Sequence, residues 1–345
     1  MTVRLAINGF GRIGRCLLRA LVESSATKRE SDDITLVAIN ELADLPTMAY
    51  LTKFDSTHGR FPGEVKQLGS HALGVNGREV HVSHIEAPSQ LPWNQLEVDL
   101  VLECTGTFTS REIAAEHLAA GASKVLFSQP ATADVDATIV RGINEHILKA
   151  EHEIVSAASC TTNCIVPVID VLDRAFGVEN GVITTIHSAM NDQPVLDAYH
   201  HTNLRKTRAA GQSIIPVDTG LAVGVSRILP KFAGKFAAQA MRVPTLNVSA
   251  MDLSVVVHRD VSIQDVNDAL REAADTRLKT ILGYTAEPLA SCDFIHDPHS
   301  GTVDASQTCV SGRLVKILTW FDNEWGFANR MLELAAGWPS VGERD

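Results

Sequence analysis

The 345-residue sequence is short of cysteines and of long apolar runs, and both shortages exclude classes of protein. Its six cysteines show neither C-x-x-C pairs nor another zinc-ligand spacing, so we expect no metal site and no disulfide framework. No apolar run reaches the length of a membrane span. Because the first residues lead directly into a short apolar run and a glycine-rich loop, we also expect no signal peptide. We therefore expect a cytoplasmic protein with no membrane contact.

The composition is that of an ordinary globular protein with an acidic balance of charge. Hydrophobic residues make up 45% of the chain and charged residues 21%, and the length allows two domains with separate cores. The net charge of −11 argues against a nucleic-acid partner. It does not exclude an anionic substrate, because a local cluster of basic residues can bind phosphate inside an acidic protein.

A glycine-rich loop separates the first predicted strand, residues 3–7, from the first predicted helix, residues 15–24. The loop has the pattern G-x-G-x-x-G. Gly9 permits a tight turn, Gly11 lets a pyrophosphate approach the backbone, and Gly14 lets the helix pack on the strand. The pattern therefore predicts a dinucleotide-binding unit.

The strands that follow support this interpretation. Residues 34–39 form a predicted strand, and Glu41 follows it closely. The carboxylate of Glu41 can accept hydrogen bonds from the adenosine ribose and would repel a 2′-phosphate, which favours NAD over NADP as the cofactor. Further strands at 98–102 and 124–127 alternate with a helix at 111–120. The alternation predicts a doubly wound parallel Rossmann sheet, an α/β fold, in an NAD-binding domain of residues 1–158.

The pattern changes after residue 158, where long strand candidates with fewer crossovers indicate an α+β catalytic domain with a mixed or antiparallel sheet. We place this domain at residues 159–322, and we expect a helix within residues 323–345 to pack back on the first domain. The predicted strands are 182–188, 242–248, 249–257 and 313–321, and the predicted helices are 217–229 and 263–276.

A six-residue stretch, 159–164, joins a short strand candidate, 153–155, to a helical segment, 165–176. It contains Cys160 and Cys164. A thiol at a helix start lies beside backbone N–H groups and the positive end of the helix dipole, which favour the nucleophilic thiolate. The alternative is that both cysteines are small buried core residues.

A cysteine nucleophile needs a base, and His187 ends a predicted strand that would hold it rigidly. His58, His200 and His201 lie in loop-like stretches and are weaker candidates. A nicotinamide cofactor, a thiolate and a histidine together predict the oxidation of an aldehyde through a thiohemiacetal and a thioester, which water or phosphate then resolves.

Basic residues are concentrated in the long irregular segment 191–213, which carries Arg205, Lys206 and Arg208. Together with Arg242 they suggest a phosphorylated substrate, because arginine binds phosphate in a bidentate manner. The alternative is that this cluster is a solvated basic surface.

Motifs in order along nearly the whole chain resemble the glyceraldehyde-3-phosphate dehydrogenase family. They are His187 and the segments 7–15, 159–164, 213–216, 242–245 and 322–326. The resemblance implies that Cys160 is the nucleophile and that His187 acts as base and acid. It also implies a homotetramer in which the long irregular loop lies at a subunit interface.

The resemblance implies distinct sets of binding residues, and Asn323 in particular is expected to orient the nicotinamide amide. The NAD site comprises Gly9, Phe10, Gly11, Arg12, Ile13, Gly14, Glu41, Thr105, Ser128 and Asn323. The site for an attacking phosphate comprises Ser159, Thr161, Thr219 and Gly220. The site for the phosphate of the substrate comprises Asp192 and Arg242, with Arg205 and Lys206 in the basic loop.

Within the family, the sequence is most similar to the erythrose-4-phosphate dehydrogenase branch, through residues 39–44, 187–190, 197–200 and 293–300. The glyceraldehyde-3-phosphate dehydrogenases of the family, referred to below as the triose enzyme, have a phosphate-binding threonine where this sequence has Met190. They have two successive arginines where this sequence has Arg205 and Lys206. We expect NAD-dependent oxidation of D-erythrose 4-phosphate to 4-phosphoerythronate, a precursor of pyridoxal phosphate, with water resolving the thioester. The alternatives are a phosphorylating glyceraldehyde-3-phosphate dehydrogenase and a non-enzymatic NAD- or redox-sensing protein that uses Cys160 as an oxidisable thiol.

Overall fold

The computed structural model describes residues 2–27, 34–200, 203–339 and 341, so that His201 lies outside the described residues. The chain divides into two compact units, one drawn from Met1–Ser159 and Ala328–Asp345 and the other from Cys160–Phe327. None of the helices in the described ranges combines the length and the apolar character that crossing a bilayer requires.

The first unit is built on a nine-stranded sheet with the strand order β10-β11-β9-β8-β1-β2-β7-β6-β5. Its strands are β1 (Val3–Asn8), β2 (Ile34–Asn40), β3 (Phe54–Asp55), β4 (Gly59–Arg60), β5 (Val65–Leu68), β6 (Ala72–Val75), β7 (Arg78–Ser83), β8 (Leu100–Glu103), β9 (Lys124–Phe127), β10 (Ala137–Thr138) and β11 (Ile154–Ser156). Its helices are α1 (Arg12–Thr27), α2 (Leu45–Lys53) and α3 (Arg111–Ala119). Strands β3 and β4 form a separate antiparallel pair.

The strands from β10 to β7 pair in parallel, which confirms the predicted Rossmann sheet. Strands β8 and β9 are buried along their whole length, and this explains their continuous apolar runs at 100–102 and 125–127. The predicted strands and helices of this unit are confirmed within a few residues at each end. The antiparallel extension through β6 and β5 was not predicted.

The second unit is an eight-stranded sheet with the order β13-β14-β12-β15-β19-β17-β16 and with β18 paired to β19. Its strands are β12 (Val178–His187), β13 (Ile215–Val217), β14 (Phe236–Arg242), β15 (Ser249–Val257), β16 (Leu282–Thr285), β17 (Gly301–Asp304), β18 (Cys309–Ser311) and β19 (Leu314–Phe321). Its helices are α4 (Cys160–Phe176), α5 (Leu221–Ile228), α6 (Ile263–Asp275) and α7 (Trp325–Gly337), and the boundary between the units falls within α7.

The sheet of the second unit is mixed, as predicted. Strand β12 pairs in parallel with β14 and antiparallel with β15, and β15 pairs antiparallel with β19. Helix α4 packs against β12 and β15 and is buried along most of its length. Its first residue, Cys160, is therefore anchored to a rigid element.

The predicted strand at 242–248 is wrong. The strand is β14, which ends at Arg242, and it pairs with β12 and β13 although its sequence is rich in alanine. Beyond Arg242 the chain contains Pro244, which has no N–H to donate to a sheet, and Val248 has a φ of +63°. Pairing with neighbouring strands outweighs the β propensity of the apolar residues that follow.

Candidate active site

Cys160 begins α4 directly after a strained turn. Ala158 has a φ of +60°, a conformation that residues other than glycine, asparagine and aspartate rarely adopt. Burial raises the pKa of the Cys160 thiol to about 11, although the backbone N–H of Thr161 and the charge of Arg242 act in the opposite direction. Burial therefore outweighs the effect of the helix start that the sequence emphasised, and the thiol is protonated at neutral pH.

The two cysteines of this segment differ in their surroundings. Cys164 is fully buried, and burial raises the pKa of its thiol. A side chain at Gly301 would lie only 2.8 Å from Cys164 Sγ, which shows how closely the core surrounds that sulfur. Cys160 is only partly buried. The core interpretation therefore applies to Cys164 and not to Cys160.

His187, the last residue of β12, faces Cys160. Its Nε2 lies 3.9 Å from Cys160 Sγ, and Phe321 packs edge-on against its ring with centroids 6.2 Å apart. Burial, followed by the charge of Arg242, lowers the pKa of His187 to about 4. The pair is therefore a neutral thiol beside a neutral imidazole, at a distance that a small side-chain rotation converts into a proton-transfer contact.

Arg242, the last residue of β14, lies on the other side of the imidazole because the parallel register of β12 and β14 places it opposite His187. Its Nη1 lies 2.6 Å from His187 Nδ1 and 3.4 Å from the carbonyl oxygen of Ser188. Within the described residues its Nε is buried without a hydrogen-bond partner. Arg242 thus has donor capacity that no acceptor in this unit uses.

The amide of Asn323 is oriented by two serines that sequence reasoning missed. Ser188 Oγ and Ser249 Oγ donate to Asn323 Oδ1 at 3.0 and 2.9 Å, and Ser249 Oγ also accepts the N–H of Ser188 at 3.1 Å. The amide oxygen is thereby satisfied, and the NH₂ group remains available as a donor. No sequence pattern distinguishes these serines, because they meet at Asn323 only through the pairing of β12 with β15.

The turn that carries Asn323 is fixed from its other side by a buried carboxylate. Asp322 Oδ1 accepts the N–H groups of Glu324 and Trp325 at 3.0 and 2.8 Å and so caps α7. Asp322 Oδ2 accepts the N–H of His296 at 2.8 Å.

The residues predicted to bind an attacking phosphate lie at the starts of two helices. Ser159 and Thr161 flank Cys160 at the start of α4, whereas Thr219 and Gly220 precede α5, where Thr219 Oγ1 accepts the N–H of Leu221 at 3.2 Å. A side chain on Gly224 in the first turns of α5 would lie 2.8 Å from the hydroxyl of Thr162 in α4. The first turns of both helices are therefore adjacent, an arrangement that suits an anion.

Of the residues predicted to bind the phosphate of the substrate, only some lie together in the basic loop. Lys206 Nζ forms an ion pair with Asp192 Oδ2 at 2.6 Å. Burial is the largest single effect on the pKa of Asp192 and raises it, but Lys206 and the charge of Arg242 together lower that pKa. Arg208 pairs with Asp197 at 3.0 Å, and Arg205 is exposed. The structure thus places Asp192 with Lys206, and it does not bring Arg205 into that pair.

The glycine loop has the geometry that a dinucleotide requires. Gly9 has a φ of +89°, and a side chain there would lie 2.6 Å from the backbone nitrogen of Thr105. A side chain at Gly14 would lie 2.4 Å from Gly9 O, whereas one at Gly11 would meet nothing within 4 Å. The open space at Gly11 fits the approach of a pyrophosphate to the backbone.

The other predicted residues of the loop are held in place by carboxylates. Glu41 accepts the N–H of Phe10 at 2.7 Å, so its negative charge lies beside the loop. Arg12 binds Asp55 at 2.5 and 3.1 Å. Burial is the largest single effect on the pKa of Asp55 and raises it, but the bonds and charge of Arg12 together with the N–H groups of His58 and Thr57 keep that pKa below its usual range. Ile13 is half-buried in the first turn of α1.

Thr105 and Ser128 follow the ends of β8 and β9, and both are bonded to Glu103. This fully buried carboxylate accepts the N–H of Thr105 at 2.8 Å, and it also accepts from Asn8 at 2.6 Å and His117 at 3.2 Å. The N–H of Ser128 donates to Glu103 O at 3.0 Å. These groups fit the loops that line a cofactor at the carboxyl edge of a parallel sheet.

Comparison with protein families agrees with the description of both units, the one with the glycine loop and the one with Cys160. The family model for the NAD-binding domain of glyceraldehyde 3-phosphate dehydrogenase matches residues 3–111, and the model for the C-terminal domain matches residues 159–323. The matches span most of the chain, and the first includes the glycine loop and Glu41, so NAD is the cofactor. The chain belongs to the glyceraldehyde 3-phosphate dehydrogenase family and is an NAD-dependent oxidoreductase.

Proposed function

We propose that the protein oxidises D-erythrose 4-phosphate to 4-phosphoerythronate and releases the product by hydrolysis of a thioester at Cys160. The observation that carries the chemistry is the contact between Cys160 Sγ and His187 Nε2 at 3.9 Å in a protein of this family. The product is a precursor of pyridoxal phosphate, and this places the reaction in the synthesis of that cofactor.

The first step joins the thiol to the aldehyde. As the Cys160 sulfur forms a bond with the carbonyl carbon, its proton moves to His187 Nε2 and a thiohemiacetal results. The imidazolium then donates a hydrogen bond to the former carbonyl oxygen. The chemistry that NAD supplies here is acceptance of the hydride from that carbon, and Asn323, held by its two serines, orients the nicotinamide amide.

The second step releases the acid. His187 first releases to the solvent the proton that it took from Cys160. Water then adds to the thioester carbon and gives one proton to His187, the carbon–sulfur bond breaks, and His187 returns that proton to the sulfur. Phosphate is the competing nucleophile. Lys206, in the basic loop assigned to the phosphate of the substrate, has a single compact ammonium in place of an arginine fork and is already paired with Asp192 at 2.6 Å. This loop therefore adds little to the binding of an attacking phosphate, which favours water.

Met190 and Arg242 support the proposal that the substrate is a four-carbon sugar phosphate. A methionine donates no hydrogen bond to a phosphate, and the Met190 side chain is 46% exposed. The guanidinium of Arg242, whose Nε has no partner in the described part of the chain, supplies an alternative phosphate ligand. A four-carbon substrate carries its phosphate one bond further from the carbonyl, which suits a shifted site.

A phosphorylating triose enzyme is the second candidate, and one observation favours it. The first turns of α4 and α5 are adjacent, and Thr219 and Gly220 precede α5. Two helix starts side by side attract an anion, and an inorganic phosphate held there could attack the thioester.

The kinetic test compares two substrates, each with and without inorganic phosphate. We expect kcat/KM for D-erythrose 4-phosphate to exceed that for D-glyceraldehyde 3-phosphate, and we expect turnover to continue without phosphate. A preference for the triose together with strict phosphate dependence would establish the second candidate instead. The variant Cys160→Ser should abolish NADH formation with both substrates, whereas NADH formation that persists would exclude the thioester route.

We further propose that the protein is a homotetramer in which the long loop forms a subunit interface. Large apolar side chains of this loop are exposed in the single chain, namely Val195, Leu196, Tyr199 and Leu204. Light scattering should give a mass near four chains. Tyr199→Lys and Leu204→Asp should dissociate the assembly, and a monomeric wild-type protein would contradict the proposal.

A further inference from the structure

Glu103, the last residue of β8, has a fully buried carboxylate at the edge of the sheet where the glycine loop lies. Within the described residues, each of its oxygens accepts two hydrogen bonds. Oε1 accepts the N–H of Thr105 at 2.8 Å and its hydroxyl at 2.5 Å, and Oε2 accepts from Asn8 at 2.6 Å and from His117 at 3.2 Å. Burial of a carboxylate costs free energy that only complete hydrogen bonding offsets, so each of these donors matters.

Trp93 determines which ring nitrogen of His117 donates to this carboxylate. The indole N–H of Trp93, which can only donate, lies 3.0 Å from His117 Nδ1, and both side chains are fully buried. Nδ1 therefore accepts, and the ring carries its proton on Nε2, the nitrogen that faces Glu103. Nδ1 has no other hydrogen-bond partner in the described part of the chain. The imidazole is thus a neutral ring with a fixed donor towards Glu103.

The backbone of Ile85 determines the orientation of two asparagines in the same way. Ile85 N–H donates to Asn40 Oδ1 at 2.9 Å, and Ile85 O accepts from Asn40 Nδ2 at 2.8 Å. Asn40 Nδ2 also donates to Asn8 Oδ1 at 2.8 Å, so the NH₂ group of Asn8 has to face Glu103. The donors of Asn8 and His117 are therefore both fixed by neighbours that have a single hydrogen-bonding role.

The carboxylate joins the glycine turn to the loop after β8. Gly9 follows Asn8 directly, and its N–H donates to Asn40 O at 2.9 Å. A side chain on Gly9 would lie only 2.6 Å from Thr105 N, so the turn and the loop are in close contact. Glu103 accepts from Asn8 on one side of this contact and from Thr105 on the other. The spacing between the turn and the loop therefore depends on Glu103.

We propose that Glu103 is a positioning residue for NAD and that His117, whose tautomer Trp93 fixes, is its supporting donor. The carboxylate holds the glycine turn and Thr105 at the spacing that the cofactor requires before the cofactor binds, so that less ordering is needed on binding. Because Glu103 is fully buried, it acts through these two loops and does not touch the cofactor. The inference concerns the NAD site alone and holds whichever sugar is the substrate.

The first test replaces Glu103 by glutamine, which keeps the shape of the side chain but turns one acceptor oxygen into an NH₂ group. The N–H of Thr105 and the groups fixed on Asn8 and His117 can only donate, so the new NH₂ group has to face a donor whichever way it is turned. The two loops should separate as a result. Titration calorimetry with NAD should show a Kd for Glu103→Gln that is raised about tenfold or more.

Asp99→Asn is the matched control, because it makes the same chemical change at the other end of β8. Asp99 is buried just before this strand and accepts the N–H of Arg4 at 2.7 Å. Both variants should unfold below the wild-type temperature, but only Glu103→Gln should weaken NAD binding. If Glu103→Gln unfolds at a lower temperature and keeps the wild-type Kd, or if Asp99→Asn weakens NAD binding equally, the carboxylate only stabilises the fold and the proposal is wrong.

His117 provides a second test that leaves the carboxylate in place. His117→Gln keeps an N–H donor towards Glu103, because the amide nitrogen of glutamine reaches about as far as Nε2, whereas His117→Leu removes the donor. We expect a Kd for NAD within about threefold of the wild type for His117→Gln and about tenfold higher for His117→Leu. Equal Kd values for these two variants would overturn the role of His117.

Hydrogen exchange measures the positioning in the protein without NAD. In Glu103→Gln the backbone amides of residues 104–107 should exchange at least about tenfold faster than in the wild type, because their anchor is lost. In Asp99→Asn they should exchange at the wild-type rate. Unchanged exchange of this segment in Glu103→Gln would show that the carboxylate does not hold the loop, and it would contradict the proposal.

Discussion

One added methyl group should have opposite effects at Gly11 and Gly14, which are three residues apart in the same loop. An alanine Cβ at Gly14 would lie 2.4 Å from Gly9 O and 3.2 Å from a methyl carbon of Ile7. The backbone cannot retreat easily, because the N–H of Gly9 is bonded to Asn40 O at 2.9 Å. Overpacking of this kind costs about 1–3 kcal/mol.

At Gly11 the same methyl group would meet no protein atom within 4 Å. Replacing glycine in an unstrained backbone conformation stabilises a protein by about 0.4–1 kcal/mol through the unfolded state. The methyl group would, however, occupy the space through which a pyrophosphate approaches the backbone. We therefore expect Gly11→Ala to leave folding intact and to weaken NAD binding at least about tenfold, or by about 1.4 kcal/mol.

Thermal unfolding and titration calorimetry with NAD separate these effects. Gly14→Ala should unfold about 4–8 °C below the wild type for a loss of about 2 kcal/mol, whereas Gly11→Ala should unfold at or slightly above the wild-type temperature. The reasoning is refuted if Gly11→Ala binds NAD as tightly as the wild type. It is equally refuted if Gly14→Ala unfolds at the wild-type temperature.

Three further predictions concern the second unit. Ser188→Ala removes one of the two hydroxyl donors to Asn323, so the rate of NADH formation should fall by about tenfold at most. Alkylation of Cys160 by iodoacetamide should be unchanged, and a matching fall in the alkylation rate would contradict the positioning role of Ser188. Because burial raises the pKa of Cys160 to about 11, its alkylation rate should keep rising with pH beyond pH 9 as the thiolate fraction grows, and a plateau near pH 7 would disprove the raised pKa. Met190→Thr adds a hydroxyl donor and should shift the kcat/KM ratio towards the triose by about tenfold, whereas Met190→Leu, the matched control, should leave the ratio unchanged.

Local chemistry made the first unit largely predictable from the sequence. The conformational demands of Gly9 and Gly14 follow from close backbone contacts between consecutive elements, and the parallel strands are recognisable because they are apolar on both faces. The position of Cys160 at the start of α4 follows from the same local reasoning.

The contact between His187 and Arg242 could not be predicted, because it joins residues 55 positions apart through the register of two parallel strands. The sequence instead suggested that a strand begins at Arg242, whereas β14 ends there. The pKa of Cys160 could not be read from the sequence for a similar reason. The helix start is visible in the sequence, but the burial that opposes it arises from tertiary packing.

The two serines that hold the amide of Asn323 could not be recognised in the sequence either. Ser188 and Ser249 meet at Asn323 only because β12 and β15 pair antiparallel and the turn after β19 returns to the same place. Serines carry no distinctive pattern, and their role became apparent only from the two hydrogen bonds to one amide oxygen.

The central claim, oxidation of a four-carbon phosphate with hydrolysis of a Cys160 thioester, is tested most directly by the origin of the product's oxygen. A reaction of D-erythrose 4-phosphate and NAD in H₂¹⁸O, with inorganic phosphate present and the aldehyde oxygen exchange measured separately, would be followed by mass spectrometry. The account predicts 4-phosphoerythronate with ¹⁸O in its carboxylate and no hydroxylamine-trappable acyl phosphate. Accumulation of an acyl phosphate, with no acid formed when phosphate is left out, would contradict it.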